Sequence, residues 1–399
     1  MAVLFLTIIY ITFISLGLPD ALLGVGWPEM YPEFGVPQSF AGIVSMTISL
    51  GTIGSSFFSG KLIRRFGTGK LTAFSVLATA CALLGFYAAP HFLWLLLAAV
   101  PLGLGAGAVD AGLNDYVARH YQAHHMNWLH SFWGIGALTS PLIMSRVLSQ
   151  NASWRYGYLI VALIQFALVL VLFLTLPMWR TREPRISVKE EMSDNPTFEE
   201  IRFFKFIQSK KVRAALYAFF LYIGVEATVG LWSSSYLIHA KGIDGAKAAI
   251  AVSSFFGFIM LGRFVSGFVS MRLTNRQLIQ LGQVLIVLGG VLLFFAKSYP
   301  LLLLGISLIG FGCAPIYPAM LHDTPQRFGQ EVAQQMMGVQ MAVSYTGSVV
   351  LPPLFGFVAP KIGIETLPIF LIVYGICMFL ASESLNRKVD RENKQASSQ

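Results

Sequence analysis

Gly60-Lys61-Leu62-Ile63-Arg64-Arg65-Phe66-Gly67-Thr68-Gly69-Lys70 sets four cations between two apolar runs, 38–60 before it and 71–89 after it. A helix needs about 20 apolar residues to cross the roughly 30 Å hydrocarbon core of a bilayer, and both runs meet that length. A short basic segment between two such runs is a loop retained on the cytoplasmic face. The same alternation recurs outward along the 399 residues, with apolar runs near 4–27, 38–60, 71–89, 92–117, 127–148, 156–178, 212–238, 247–270, 276–296, 299–321, 334–358 and 363–383. This predicts an all-α membrane protein of twelve transmembrane helices.

Composition agrees. The chain is 55% hydrophobic and 12% charged, about half the charge of a soluble domain, so a soluble core could not hide its apolar surface. Twelve spans use roughly 250 residues, which leaves little for a separate catalytic head. The net charge of +9 points to topology rather than to nucleic acid, because Lys and Arg cluster in the short gaps between runs. With Met1 in the cytoplasm, 21 of them fall in inside segments and six outside: Arg146, Arg155, Lys241, Lys247, Lys297 and Lys361. Both termini are therefore expected in the cytoplasm, and the chain in the cell's inner (plasma) membrane. The first run has no basic leader and carries Pro19 and Asp20 without a cleavage pattern, so it is expected to stay as the first span.

The longest connection, 179–211, separates an N-terminal six-helix bundle (1–178) from a C-terminal one (212–385), with a cytoplasmic tail at 386–399. Its second part, from Asn195-Pro196 to Lys205, has acids in the first turn and mixed aromatics and cations, a pattern for a helix lying on the membrane surface. A solvated tether fits as well. Cys81, Cys313 and Cys377 fall inside apolar runs and form neither a disulfide framework nor a metal-ligand spacing.

The second half repeats the first at a shift near 206. Asp20-Ala21-x-x-Gly24 meets Glu226-Ala227-x-x-Gly230, Ser59-Gly60 with Arg65 and Leu71 meets Ser266-Gly267 with Arg272 and Leu278, and Gly103-x-Gly105 meets Gly310-x-Gly312. Three matches in order predict two pseudo-symmetric bundles and a central site between them. With this repeat, the Gly60–Lys70 loop resembles the signature after the second span of the major facilitator superfamily, over the whole chain. That loop usually carries an acid where this chain has Arg64.

A carboxylate near the bilayer centre costs at least about 2.5 kcal/mol, so it needs a partner, a proton or a cavity. Asp20, Asp110 and Glu226 lie within predicted spans. Asp110 and Asn114 stand at i, i+4 on one face of span four, in a run whose glycines 103, 105, 107 and 112 allow close helix approach. In span five His130 and Trp133 share a face. Gln340 is an amide inside span eleven, where lipid offers no hydrogen bond. Arg263, the one Lys or Arg inside a predicted span, is expected to snorkel or to serve structure or gating.

Gly-x-x-Asp-Ala-Gly-Leu-Asn in span four, an Asp in span one and Asn127-Trp128-Leu129-His130-Ser131-Phe132-Trp133 in span five resemble the fucose/galactose/hexose proton symporter group. The resemblance implies proton coupling and sugar contact at Asp110 and Asp20, with Asn114 matching that group's span-four Asn. Asn127 is kept, whereas His130 stands for its sugar-binding Gln and Trp133 for a second sugar-contacting Asn. The functional expectation is secondary active transport: proton-coupled import of a small polyhydroxylated solute, a hexose or deoxyhexose. Asp20 and Asp110 would carry the proton, and Asn114, His130, Trp133, Glu226 and Gln340 would line the solute site. The expected partners are the solute and the bilayer, with no nucleic acid, no cofactor beyond the ion gradient and a single copy of the chain. Sodium is an alternative coupling ion, and proton-coupled efflux of drugs or metabolites is the alternative function. No metal-ligand helix motif or nucleophile constellation points to an enzyme.

Overall fold

A computed structural model describes residues 2–121, 123–180 and 208–397. Its elements are helices: Ala2–Gly17 and Leu22–Glu33 (span one), Phe40–Phe66 (two), Thr68–Tyr87 (three), Phe92–His120 (four), Ala123–Ser149 (five), Arg155–Arg180 (six), Lys210–His239 (seven), Gly245–Val269 (eight), Asn275–Phe295 (nine), Tyr299–His322 (ten), Gln330–Ile362 (eleven) and Leu367–Ser397 (twelve). Eleven of these spans are long and apolar enough to cross a membrane. Span five is the other one, and His130, Ser131, Thr139 and Ser140 dilute its apolarity. The interfacial helix expected at 195–205 lies outside the described residues.

One expectation needs correcting. The first span is not one helix, because the chain turns at Leu18–Ala21. Pro19 lacks an N–H and cannot bond the carbonyl of Ser15, so the helix ladder opens there. The side chain of Gln165 in span six supplies the missing donor, Nε2 to the Ser15 carbonyl at 2.8 Å, and Thr79 Oγ donates to Gln165 Oε1 at 2.7 Å. All three residues are buried. Span twelve continues as helix through the tail to Ser397. Ion pairs hold it to its own half: Arg276 with Glu383 and Asp390, and Lys211 with Glu392.

The repeat is visible in the packing. Spans one and five, two and four, three and four, and three and six are neighbours in the first half, and seven and eleven, eight and ten, nine and ten, and nine and twelve in the second. The glycine matches make equivalent contacts. A Cβ on Gly103 would stand 2.1 Å from the Ile48 carbonyl oxygen, and one on Gly310 would stand 2.3 Å from that of Phe255. Gly105 and Gly312 approach the Ser75 and Gly282 carbonyls in the same way, both at 2.5 Å. Only glycine allows such backbone contact.

The halves meet through spans five and eight, two and eleven, and one and seven. At the end opposite the chain termini they are in contact: Ser145 Oγ donates to the Ala246 carbonyl at 2.9 Å, and Tyr31 Oη lies 3.4 Å from His239 Nε2. A Cβ on Gly24 would be 2.1 Å from the Gly230 carbonyl oxygen, and one on Gly42 would be 2.8 Å from Pro353 Cα. At the terminus-bearing end the ion pairs of Arg276 and Lys211 stay within one half.

Candidate functional site

The break in span one places Asp20 midway along the 29-residue span Phe5–Glu33. Asp20 is exposed although Leu18 and Ala21, two residues before it and one after, are buried. A mid-span carboxylate with open surface between buried neighbours faces an interior opening between the halves rather than lipid. Trp133 of span five donates its indole N–H to Asp20 Oδ2 at 2.7 Å. The other face of the interaction comes from the second half: the Arg263 guanidinium lies 5.7 Å from the Trp133 ring centroid, and Phe256 meets that ring edge-on at 6.1 Å.

Asp110 is held from both halves. Asn114 Nδ2, one turn along span four, donates to Asp110 Oδ1 at 2.9 Å and also to the Asp110 carbonyl at 2.9 Å. Tyr345 Oη of span eleven donates to Asp110 Oδ2 at 3.0 Å. In span seven Tyr222, one turn before Glu226, donates its hydroxyl to Glu226 Oε2 at 2.5 Å. Arg263 lies within electrostatic reach of Tyr222, Glu226 and Tyr317, and Asp20 within reach of Asp110 and Glu226. Glu226 of span seven thus lies by the guanidinium of span eight, and the acids of spans one and four lie within electrostatic reach of each other.

Of the residues singled out in the sequence, Asp20, Asp110, Asn114, Trp133 and Glu226 come together here. His130 stands at the edge of the group, its ring edge-on to Phe13 at 5.8 Å and within reach of Arg263. Gln340 does not join it. Its amide oxygen accepts from Thr324 Oγ at 2.9 Å, its carbonyl accepts from Ser344 Oγ, and it is 1% exposed, so its hydrogen bonds are made inside the second half. The Asn127 side chain lies outside the described residues.

Arg263 does not snorkel outward but packs over Trp133 of the first half. The available signal was its isolation, since a guanidinium inside a span calls for aromatic or acidic partners. Tyr317 and Tyr345 are also in the group. Nothing in the local sequence marks Tyr345 as the residue that reaches Asp110, because the bond crosses 235 positions. Trp27 and Trp232 serve packing: their indoles donate to the carbonyls of Gln38 and Pro352, at 2.7 and 2.8 Å. Among the described residues no group of three His, Cys, Asp or Glu is placed to hold a metal ion.

The family model described as Major Facilitator Superfamily matches residues 9–352 and, again, 214–398. The glucose/mannose transporter GlcP of Bacillus subtilis (strain 168) is 26% identical over 367 residues, covering 86% of this chain and 88% of that one. Among solved structures, the D-xylose-proton symporter superposes with a TM-score of 0.72 at 12% identity, covering 96% of each chain. FucP in its outward conformation superposes with a TM-score of 0.62 at 16% identity, covering 95% of this chain and 98% of that one. These likenesses are to transporters rather than to enzymes, and at such identities the structures establish the fold. The chain belongs to the Major Facilitator Superfamily.

Proposed function

We propose that the protein imports a small polyhydroxylated solute, a hexose or deoxyhexose, together with a proton. The observation that carries this is the pair of acids at the junction of the halves, Asp20 and Asp110, whose hydrogen bonds come from neutral donors: Trp133 for one, Asn114 and Tyr345 for the other. A carboxylate held by neutral donors can take up and release a proton without breaking an ion pair, and its donors can rearrange onto hydroxyl groups. Asp20, with Asp110 and Glu226 within electrostatic reach, would stand in a concentration of negative charge if all three were ionised. Inside a low-dielectric span that charge favours uptake of a proton.

In this mechanism Asp110 and Asp20 hold the proton, while Asn114, His130 and Glu226 offer hydrogen bonds and Trp133 a flat apolar face for a sugar ring. Gln340 acts at a distance, by holding span eleven to the short helix Thr324–Phe328 that follows span ten. With the basic loops in the cytoplasm, the closed end is the outer one, and the solute site opens inward in this state. The chain would then sit in the plasma membrane with both termini inside, working as a single copy. The glucose/mannose named for the relative GlcP supports the solute class.

The test is uptake into proteoliposomes of purified protein, with labelled hexoses and deoxyhexoses, an imposed proton or sodium gradient, and Asp110→Asn alongside. Gradient-driven accumulation of one sugar, lost in Asp110→Asn while solute exchange persists, is the expected result. A sodium-driven signal would replace the proton. Absence of accumulation by folded protein would favour proton-coupled efflux.

A further inference from the structure

Spans seven and twelve form a groove of about 540 Å³ at the terminus-bearing end, lined by Lys210, Arg213, Tyr217, Ser384 and Lys388 with Ala214 and Ala381. Lys210, Arg213 and Tyr217 follow one face of span seven at i, i+3 and i+7, and Ser384 and Lys388 follow one face of span twelve at i, i+4. We infer that this groove binds the headgroup of an anionic phospholipid.

Among the described residues three cations line the groove and no carboxylate does. The nearby described acids are engaged elsewhere: Glu392 with Lys211, and Glu383 and Asp390 with Arg276. Lys388 Nζ donates to the Lys210 carbonyl at 2.9 Å, which ties the two spans together and keeps the like charges adjacent. Cations crowded on one side of a groove without an acid form an anion site whose potential is strongest where it meets low-dielectric lipid.

The groove is also amphipathic along its depth. Lys210 stands at the first residue of span seven, and Tyr217, 49% exposed and stacked on Phe220, stands two turns deeper. Ala214 and Ala381 complete the deeper wall. Tyrosine at this depth marks the interface between headgroups and acyl chains. A free phosphate would use only the cations, whereas a phospholipid uses the cations with its headgroup and the tyrosine and alanine wall with its glycerol and acyl region.

The experiment compares the melting temperature of the full-length purified protein in nonionic detergent with added phosphatidylglycerol, phosphatidylcholine or inorganic phosphate. Phosphatidylglycerol should raise it above the other two, and the double variant Lys210→Ala/Arg213→Ala should lose at least half of that increment. Lys61→Ala/Arg64→Ala, which removes the same charge from the loop after span two, should keep it. If the double variant does not fold, Arg213→Gln should bind severalfold less phosphatidylglycerol by native mass spectrometry. An increment that survives Lys210→Ala/Arg213→Ala, is matched by phosphatidylcholine or phosphate, or is lost equally in Lys61→Ala/Arg64→Ala overturns the assignment.

Discussion

Trp133 donates its indole N–H to Asp20 Oδ2 at 2.7 Å while its ring carries the Arg263 guanidinium at 5.7 Å. One side chain of the first half therefore links an acid of its own half to the central cation of the other. A motion of span eight relative to span five alters the ring's surroundings, and through the N–H it alters those of the carboxylate. In the proposed mechanism this contact would couple the relative position of the halves to the protonation of Asp20.

Trp133→Phe keeps an aromatic face and removes the donor. A hydrogen bond to a charged group contributes about 1.5–3 kcal/mol, and a pKa unit corresponds to about 1.4 kcal/mol, so the pH midpoint of uptake should move by about one to two units. Uptake against pH in proteoliposomes measures it. A profile superimposable on the wild type would remove Asp20–Trp133 from the coupling path.

Gln165→Leu leaves the buried Ser15 carbonyl without its donor, which costs about 1–3 kcal/mol. Pro19→Ala provides a backbone N–H at the position that would bond Ser15, so the same Gln165 substitution should cost less in that background. A double-mutant cycle on thermal stability should show coupling of about 1–2 kcal/mol. Additive losses would mean that Gln165 does not compensate for the proline.

Arg263 should prove more than a charge. Arg263→Lys keeps the cation and loses the planar group that stacks on Trp133, while Arg263→Gln loses both. Uptake should fall moderately in the first and by tenfold or more in the second, on the basis that about 1.4 kcal/mol is a factor of ten. Wild-type rates in Arg263→Gln would return this residue to a purely structural role.

Gly24→Leu cannot coexist with the contact to the Gly230 carbonyl, where even a Cβ would sit at 2.1 Å. Overpacking costs about 1–3 kcal/mol, enough to shift a two-state balance roughly tenfold towards the form in which this end is open. Spin labels at positions 31 and 239, whose side chains face each other at the closed end, should move from a short to a longer distance. An unchanged distance distribution would show that the closed end tolerates the extra volume by local repacking.

Much of this was legible in the linear chain. A span needs about 20 apolar residues and a cytoplasmic loop needs cations, and both are local properties that survive without knowing any contact. The repeat was also legible, because Gly103-x-Gly105 and Gly310-x-Gly312 each meet a neighbouring backbone that admits no side chain. The three intramembrane acids announced themselves by their cost. Pro19 carried a signal for the break in span one, but its consequence depended on whether a donor such as Gln165 stood opposite, 150 positions away.

By itself, then, the sequence determined the membrane spans, their number, the two-fold organisation and which ionisable groups had to be accounted for within the membrane. Tertiary structure alone decided which of them meet. Asp20 reaches Trp133 across 113 positions and Asp110 reaches Tyr345 across 235, while Gln340, equally polar and equally intramembrane, is satisfied by Thr324 sixteen positions away. The physical reason is that burial in lipid requires every polar group to find a partner without specifying which one. Helix packing makes that choice.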